Sequence, residues 1–465
     1  MRPAFRGLAT VFPVQRLLPR HSLTERVAAR LGPILPTHSR ILVGLSGGVD
    51  SVVLLQLLRS LAPRFEWRLS ALHVHHGISP NADAWAQFCL GLCTQCGIPL
   101  HIERVDIAPL RDEHGIEAAA RKLRHAAFAQ QACDFVALAH HADDQAETLL
   151  LQLLRGAGIK GAAAMPVLSK VEGPLLKPAT APGPATLRPL LDVPRSVLVE
   201  YARQHALCWV EDESNADDRY PRNFLRHRLL PLLEQRFPAY RDTLARGARH
   251  FAEAGELLDE LAQQDGVQAL CGGTLDIGVL RVLSCQRAKN LLRYFLHTRG
   301  ARMPQADRLD DMLRQLLEAR ADAAVCVAFG GWQVRRYQGR AYAFPELGGF
   351  DPGLTLCWNG EAELAWPALK GRVQFTPSTG TGISLARLQR APVTLRLRCG
   401  GETLRPHPDA ATRSLKNLLQ EHRVPPWQRE RLPLLYCGDE LASVVGVAIA
   451  AEFRAMDSEP GIVVA

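Results

Sequence analysis

No apolar run in the sequence approaches the roughly 18–20 residues that a bilayer-spanning helix needs, and the N-terminus has no apolar segment long enough for a secretory signal. Membrane-embedded and secreted classes are set aside, and the cytoplasm is the expected compartment. Residues 1–24 contain arginines and no acidic side chain, a faint likeness to an organellar transit peptide; residues 1–35 read more simply as a leader. Internal repeats are absent. Also absent is the nucleoside-triphosphate loop in which lysine follows the second glycine, so pyrophosphate is a more natural occupant of any phosphate site than a transferred γ-phosphoryl group. The eleven cysteines are scattered and, with no secretory signal, read as free thiols of a reducing compartment.

Length and positive charge are what the chain does have. Its 465 residues exceed what one core organises, since a domain takes about 100–200 residues, so two or three domains are expected. A hydrophobic share of 47% with 22% charged residues is ordinary for a globular protein. The formal charge is +8 and the pI about 9.0, with arginine far outnumbering lysine, which suits a partner rich in phosphate or carboxylate.

From residue 40, short apolar runs alternate with amphipathic stretches of helical length. Residues 40–45, 68–75, 100–105 and 135–139 read as strands; 51–61, 84–97, 116–132 and 143–154 read as helices. Strict alternation implies parallel strands with crossover helices, an α/β doubly wound sheet whose ligands lie at the carboxyl ends of the strands. A Pro/Gly-rich stretch near 165–188 reads as a loop or insertion. The expected division is into three units, an α/β one over 36–224, a mostly helical one over 225–345 and a small α+β one over 373–465.

Directly after the first strand stand Ser46, Gly47, Gly48, Val49, Asp50 and Ser51, followed by an apolar helix. Two glycines let the backbone turn sharply and approach a ligand closely, and the following amides point outward at a helix start, which makes an anion cradle. The Ser46 and Ser51 hydroxyls add donors. Asp50 would repel phosphate unless a cation stood between them, so Mg²⁺ is implied. The plain alternative is a glycine-rich turn with a capping Ser or Asp.

At the exit of the fourth strand come His140, His141, Asp143, Asp144 and Glu147. Asp143 and Glu147 lie four apart and share a helix face. First-turn carboxylates are often only dipole partners, but two histidines and three acids joined directly to a buried strand point to a site. Glu117 and Arg121, also four apart, would alone be read as a surface ion pair.

The 46–51 loop resembles the signature of the PP-loop ATP pyrophosphatases, which split ATP between the α- and β-phosphates to adenylate an oxygen. The order of the 46–51 loop, Glu117 to Arg121, the run from Ala139 through Gly158, Arg188-Pro189-Leu190-Leu191, Glu211-Asp212 through Asn215, and Arg222-Asn223 resembles the tRNA(Ile)-lysidine synthetase family within that group. So do Leu395 through Glu402, Leu415-Lys416 and Pro425-Pro426-Trp427. The resemblance implies ATP-dependent adenylation of the 2-carbonyl of the wobble cytidine, position 34, in a tRNA(Ile) with a CAU anticodon. Displacement of AMP by the ε-amine of free L-lysine would then leave lysidine, and decoding would change from AUG to AUA. It assigns Asp50, Asp143 and Asp144 to catalysis, with Asp50 and Asp143 on Mg²⁺. Ser46 to Ser51 and His140 are assigned to ATP; Glu117, Arg121, Glu147, Arg222 and Asn223 to substrate; and Arg396, Arg398 and Lys416 to tRNA. His73-Val74-His75-His76 departs locally from the family pattern, and the 167–186 stretch is longer than expected.

Cys89, Cys93 and Cys96 have the spacing of an iron–sulfur triad. On a helix they fall on one stripe with Trp85, Phe88 and Leu92, so core packing is the stronger reading. Two rival functions remain, a PP-loop tRNA thiolase and a non-catalytic RNA-binding protein switched by ATP. The eight cations among residues 395–431 favour RNA binding.

Overall fold

The strand β1 (Arg40–Gly44) organises the first part of the chain in a computed structural model that describes residues 22–110, 115–170, 183–213, 217–320 and 323–465. Its neighbours are β2 (Arg68–His75) on one side and β4 (Phe135–Ala137) on the other, both parallel to it. With β3 (Leu100–Arg104), β5 (Leu168–Lys170) and β6 (Ala185–Leu187) they form a sheet in the order β3-β2-β1-β4-β6-β5, of which only β5 runs antiparallel. Alternate residues of β1 serve opposite faces, as the pleat requires. Ile41 and Val43 join the large core cluster, whereas Leu42 packs with Leu72, Val136 and Phe128.

The crossover helices follow the expected places closely. They are α2 (Val49–Phe65), α3 (Ala82–Cys96), α4 (Ile116–Ala129) and α5 (Ala142–Leu154). Packed beside α2 are α1 (Leu23–Leu31) and α6 (Arg195–Gln204). Of these, α2 is the most deeply buried, with Val52, Val53, Leu54, Leu55, Leu57 and Leu58 each at most 2% exposed. The chain order reverses between β1 and β4, one strand leading leftward and the next rightward, which opens the crevice where doubly wound sheets bind ligands.

Part of the span expected as a leader, residues 22–35, is folded. Ser22 caps α1, and Leu23, Val27, Ala28 and Leu31 are buried, because this helix has an apolar stripe that α2 covers. Residues 1–21 lie outside the described residues, as does most of the 167–186 stretch.

Where three units were expected, the chain divides into two compact ones, ending and beginning at Leu257 and Leu258. The boundary falls within one long helix, Tyr240–Gly266. Helices continue through Ala306–Glu318, but residues 270–345 also carry a five-stranded antiparallel sheet. Its central hairpin, Trp332–Tyr337 with Arg340–Pro345, turns at Gln338-Gly339. The alternation Val334, Arg336 and Ala341, Ala343 toward the interior announces these strands locally; leucine-rich helices on either side obscure them. The last layer, antiparallel throughout, begins near residue 350. Phe350, Leu354, Trp366 and Ala368 already belong to its core, and the hairpin Glu363–Trp366 with Gly371–Thr379 straddles the boundary expected at 373. No helix among the described residues is long and apolar enough to cross a membrane.

Candidate active site

Between β1 and α2 the Ser46–Ser51 loop closes on itself. Ser46 Oγ and Ser51 Oγ lie 3.2 Å apart, Ser51 Oγ donates to the Gly48 carbonyl at 2.9 Å, and the Gly48 amide donates to Ser46 Oγ at 3.4 Å. Gly47 has φ +90°, and a Cβ there would lie 2.8 Å from Val210 Cγ2. Only glycine satisfies both conditions. Val49 and Ser51 are buried in the first turn of α2.

Across the crevice, β4 delivers two adjacent histidines into opposite surroundings. His141, 2% exposed, caps α5: its Nδ1 accepts the Asp144 amide, and its own amide donates to Asp144 Oδ2 at 3.0 Å. This reciprocal cap turns Nε2 toward Asp50 Oδ2 at 3.7 Å and Asp144 Oδ2 at 3.4 Å, with Asp143 Oδ2 3.6 Å from Nδ1. Three carboxylates thus converge on one buried imidazole. Burial opposes charge on His141, but the Asp50 hydrogen bond and the field of Asp144, Asp50 and Asp143 outweigh it and raise its pKa. His140 meets the reverse. Burial first, then Arg188, Arg124, Arg121 and Arg222, hold it well below the usual histidine range and therefore neutral.

Arginines from distant segments finish the acidic side. Asp143 accepts the Arg195 amide at 2.9 Å and Arg241 Nε at 2.5 Å, and Arg241 also pairs with Glu234. Arg195 Nε stands 3.7 Å from Asp50 Oδ1. Burial raises the Asp143 pKa, but these two donors and the Arg241 charge bring it below the carboxylate norm. Glu147 is fully buried and receives Arg226 Nε at 2.8 Å. Here burial outweighs the Arg226 partnership and leaves its pKa raised. Arg226 reaches inward from a single π-helical turn, Leu225–Leu229, a bulge common at functional sites.

The structure brings the expected residues together unevenly. Asp50, Asp143, Asp144 and the glycine loop share one crevice. Arg222 donates to Thr148 Oγ1 at 3.1 Å, one residue from Glu147. Asn223 is buried and donates to the Asp217 carbonyl, so it braces the chain's own turn. Arg121 is exposed and projects its charge on the His140 side. The side chain of Glu117 lies outside the described residues, as does Asn215. Arg195, Arg226, Arg241 and the pairing role of His141 were missed. Arg226 follows Arg222 by four positions, a usable local signal; Arg241 is 98 residues from Asp143 and gives none.

In the last layer, Arg396 and Arg398 are less free than a bare count of charges suggests. Arg396 donates to Thr394 Oγ1 and the Gly438 carbonyl and lies over the Tyr436 ring, and Arg398 pairs with Glu402. Lys416 and Arg423 are exposed and, among the described residues, have no ion-pair partner.

The cysteine triad lies on α3, with Cys89 and Cys93 buried in the main core and Cys96 packed against it. Burial pushes the Cys89 thiol up to about 12 and the Cys93 thiol to about 11. Such thiols are protonated and inert, which bears out the packing reading.

Comparison with known proteins gives three family matches: a PP-loop domain over residues 20–233, a TilS substrate binding domain over 275–342 and a TilS substrate C-terminal domain over 393–465. Among curated relatives, a tRNA(Ile)-lysidine synthase from Nitrosomonas europaea is 44% identical over 428 residues, covering 92% of this chain and 91% of that protein. One from Azoarcus sp. is 44% identical, covering 94% and 92%. One from Coxiella burnetii is 36% identical, covering 98% and 97%.

Proposed function

The chain belongs to the tRNA(Ile)-lysidine synthase family, and from that premise we propose how its own residues divide the work of ATP-dependent lysidine formation on tRNA(Ile). The observation that carries the reading is the convergence of Asp50, Asp143 and Asp144 on His141, facing the glycine loop at the switch point of the sheet.

The amides of Gly48 to Ser51 and the Ser46 and Ser51 hydroxyls hold the triphosphate. Asp50 and Asp143 would hold Mg²⁺, Asp143 on giving up its Arg195 amide or Arg241 donor. Asp50 Oδ1 is buried without a hydrogen-bond partner, an orphaned oxygen that fits a cation. Among the described residues no group of three or more His, Cys, Asp or Glu is placed to hold a metal alone, and a Mg²⁺ there would be shared with the phosphates of the substrate. When bound, the ion supplies charge neutralisation between carboxylate and phosphate. His141 keeps the three carboxylates at fixed separation, and Arg195 and Arg241 limit their mutual repulsion.

The C2 carbonyl oxygen of the wobble cytidine, position 34 of a CAU anticodon, attacks the α-phosphorus and pyrophosphate leaves. The ε-amine of free L-lysine then attacks C2, and the former carbonyl oxygen departs with AMP. Adenylation is what turns a poor leaving group into a good one. Neutral His140 and the surrounding arginines, Arg121 among them, line the side suited to anionic groups, and Glu147 with Arg222 lies on the substrate side. Lys416, with Arg396 and Arg398, contacts tRNA phosphates. The reaction belongs to the cytoplasm, where tRNA and free lysine meet.

The test is incubation of the full chain with ATP, labelled lysine and unmodified tRNA(Ile). Lysine bound to tRNA with equimolar AMP and pyrophosphate is expected. ATP bound without pyrophosphate release would point to a switch protein, and sulfur gained on the base in place of lysine to a thiolase.

A further inference from the structure

The segment 207–213 leaves α6 and crosses the carboxyl edge of the sheet, and no step above uses it. Leu207 and Trp209 pack against the main core. The Val210 amide donates to the Gly47 carbonyl at 3.0 Å, and the Val210 side chain fills the space a Gly47 Cβ would enter. Three residues on, Glu213 Oε1 accepts both Ser79 Oγ and Asn81 Nδ2 at 2.9 Å. The segment therefore ties the loop after β1 to the loop after β2.

A loop with two adjacent glycines has wide conformational freedom and must be fixed from outside if its amides are to be aimed. Its own bonds, Ser46 to Ser51, Gly48 to Ser46 and Ser51 to Gly48, all lie within the loop. Val210 supplies an external one. Because a trans peptide is planar, its carbonyl and amide point in opposite directions. Holding the Gly47 carbonyl toward Val210 directs the Gly48 amide away from the segment, and that amide is one of the cradle donors.

We infer that Val210, tethered through Glu213 to Ser79 and Asn81, is a positioning residue that sets the orientation of the phosphate-binding loop. The inference rests on the reading that this loop holds ATP.

The full-length variants Val210→Gly, Val210→Ile and Glu213→Ala test it with two readouts. Hydrogen exchange of the Gly47 to Val49 amides in ligand-free protein reports the loop itself. KM for ATP against KM for tRNA reports its use. Val210→Gly keeps the amide donor but removes the side chain packed beside Gly47 that holds the segment in place, and is expected to speed exchange and raise the ATP KM on the order of tenfold with the tRNA KM unchanged. Val210→Ile should behave as the parent, and Glu213→Ala should shift both readouts the same way to a smaller extent. A folded Val210→Gly protein with unchanged exchange and ATP KM would overturn the inference, as would faster exchange with an unchanged ATP KM. If Val210→Gly does not fold, Glu213→Ala at its exposed position decides by the same two measurements. If the parent turns over no ATP, the functional reading fails, and the exchange measurement still decides whether Val210 orients the loop.

Discussion

At the scale of residues, the crevice is a balance of like charges held close. Asp50, Asp143 and Asp144 around one imidazole would repel one another without His141, Arg195 and Arg241. Asp50→Ala and Asp143→Ala should each abolish pyrophosphate release while tRNA affinity persists, because RNA is held mainly by cations elsewhere. Rates like the parent's in either variant would remove these residues from catalysis. A second expectation concerns stability. His76 and His125 are lowered from 6.5 to about 4, by burial first, and then by Arg124 at His76 and by Arg121 and Arg124 at His125. Below pH 6.5 the unfolded chain takes up protons that the folded chain refuses, so stability is full above that value and is lost as pH falls toward about 4. Allowing for partial exposure, each contributes on the order of 1–2 kcal/mol. Urea titrations across this range should show the slope, and His76→Gln should flatten it; an identical slope in the variant would remove His76 as a cause.

At the scale of elements, α3 illustrates how spacing acquires meaning from its surroundings. Cysteines at i, i+4 and i+7 converge on a cofactor only where a loop can fold them around it. Here a continuous helix, Ala82–Cys96, lays them along the core, and Cys89 touches the His73 ring and the space beside Gly47. Replacing all three by alanine should lower stability by about 1–3 kcal/mol through small cavities, with the folded fraction retaining activity. Iron and acid-labile sulfide in anaerobically prepared protein would contradict this. The short helix Pro426–Arg429 is a second case. Its Trp427 packs on Tyr342, Phe344 and Tyr337, outward-facing residues of the central hairpin, with Arg335 over its ring. The Pro425-Pro426-Trp427 motif thus docks the last layer on the preceding sheet, which accounts for residues from 258 onward forming one unit.

At the scale of the whole molecule, that docking changes how tRNA binding should be tested. A truncation at residue 373 would cut a hairpin, and one near 349 would strip Trp427 from the face it covers. Charge reversal at exposed positions cuts neither of these contacts. The pair Lys416→Glu and Arg423→Glu should weaken tRNA affinity and lower the slope of log affinity against log salt by roughly one per lost phosphate contact. Binding isotherms at several salt concentrations measure it. An unchanged slope would move the RNA contact away from this layer.

The sequence alone determined whatever rests on local spacing. Alternating periods of two and 3.6 define the parallel sheet to within a few residues, and the adjacent glycines and clustered acids mark both edges of the crevice because each lies at a strand end. Unit boundaries escaped it, since apolar periodicity does not say which surface covers which: α1 belongs to the core because α2 lies against it, and the layer expected from 373 begins near 350 because Trp366 is buried there. The tertiary structure also decided the pairings on which the site's electrostatics depend. Arg241 with Asp143, Arg226 with Glu147, and Val210 with Gly47 are separated by 98, 79 and 163 positions respectively. Contacts of that range are made by the packing of elements and have no local pattern to announce them.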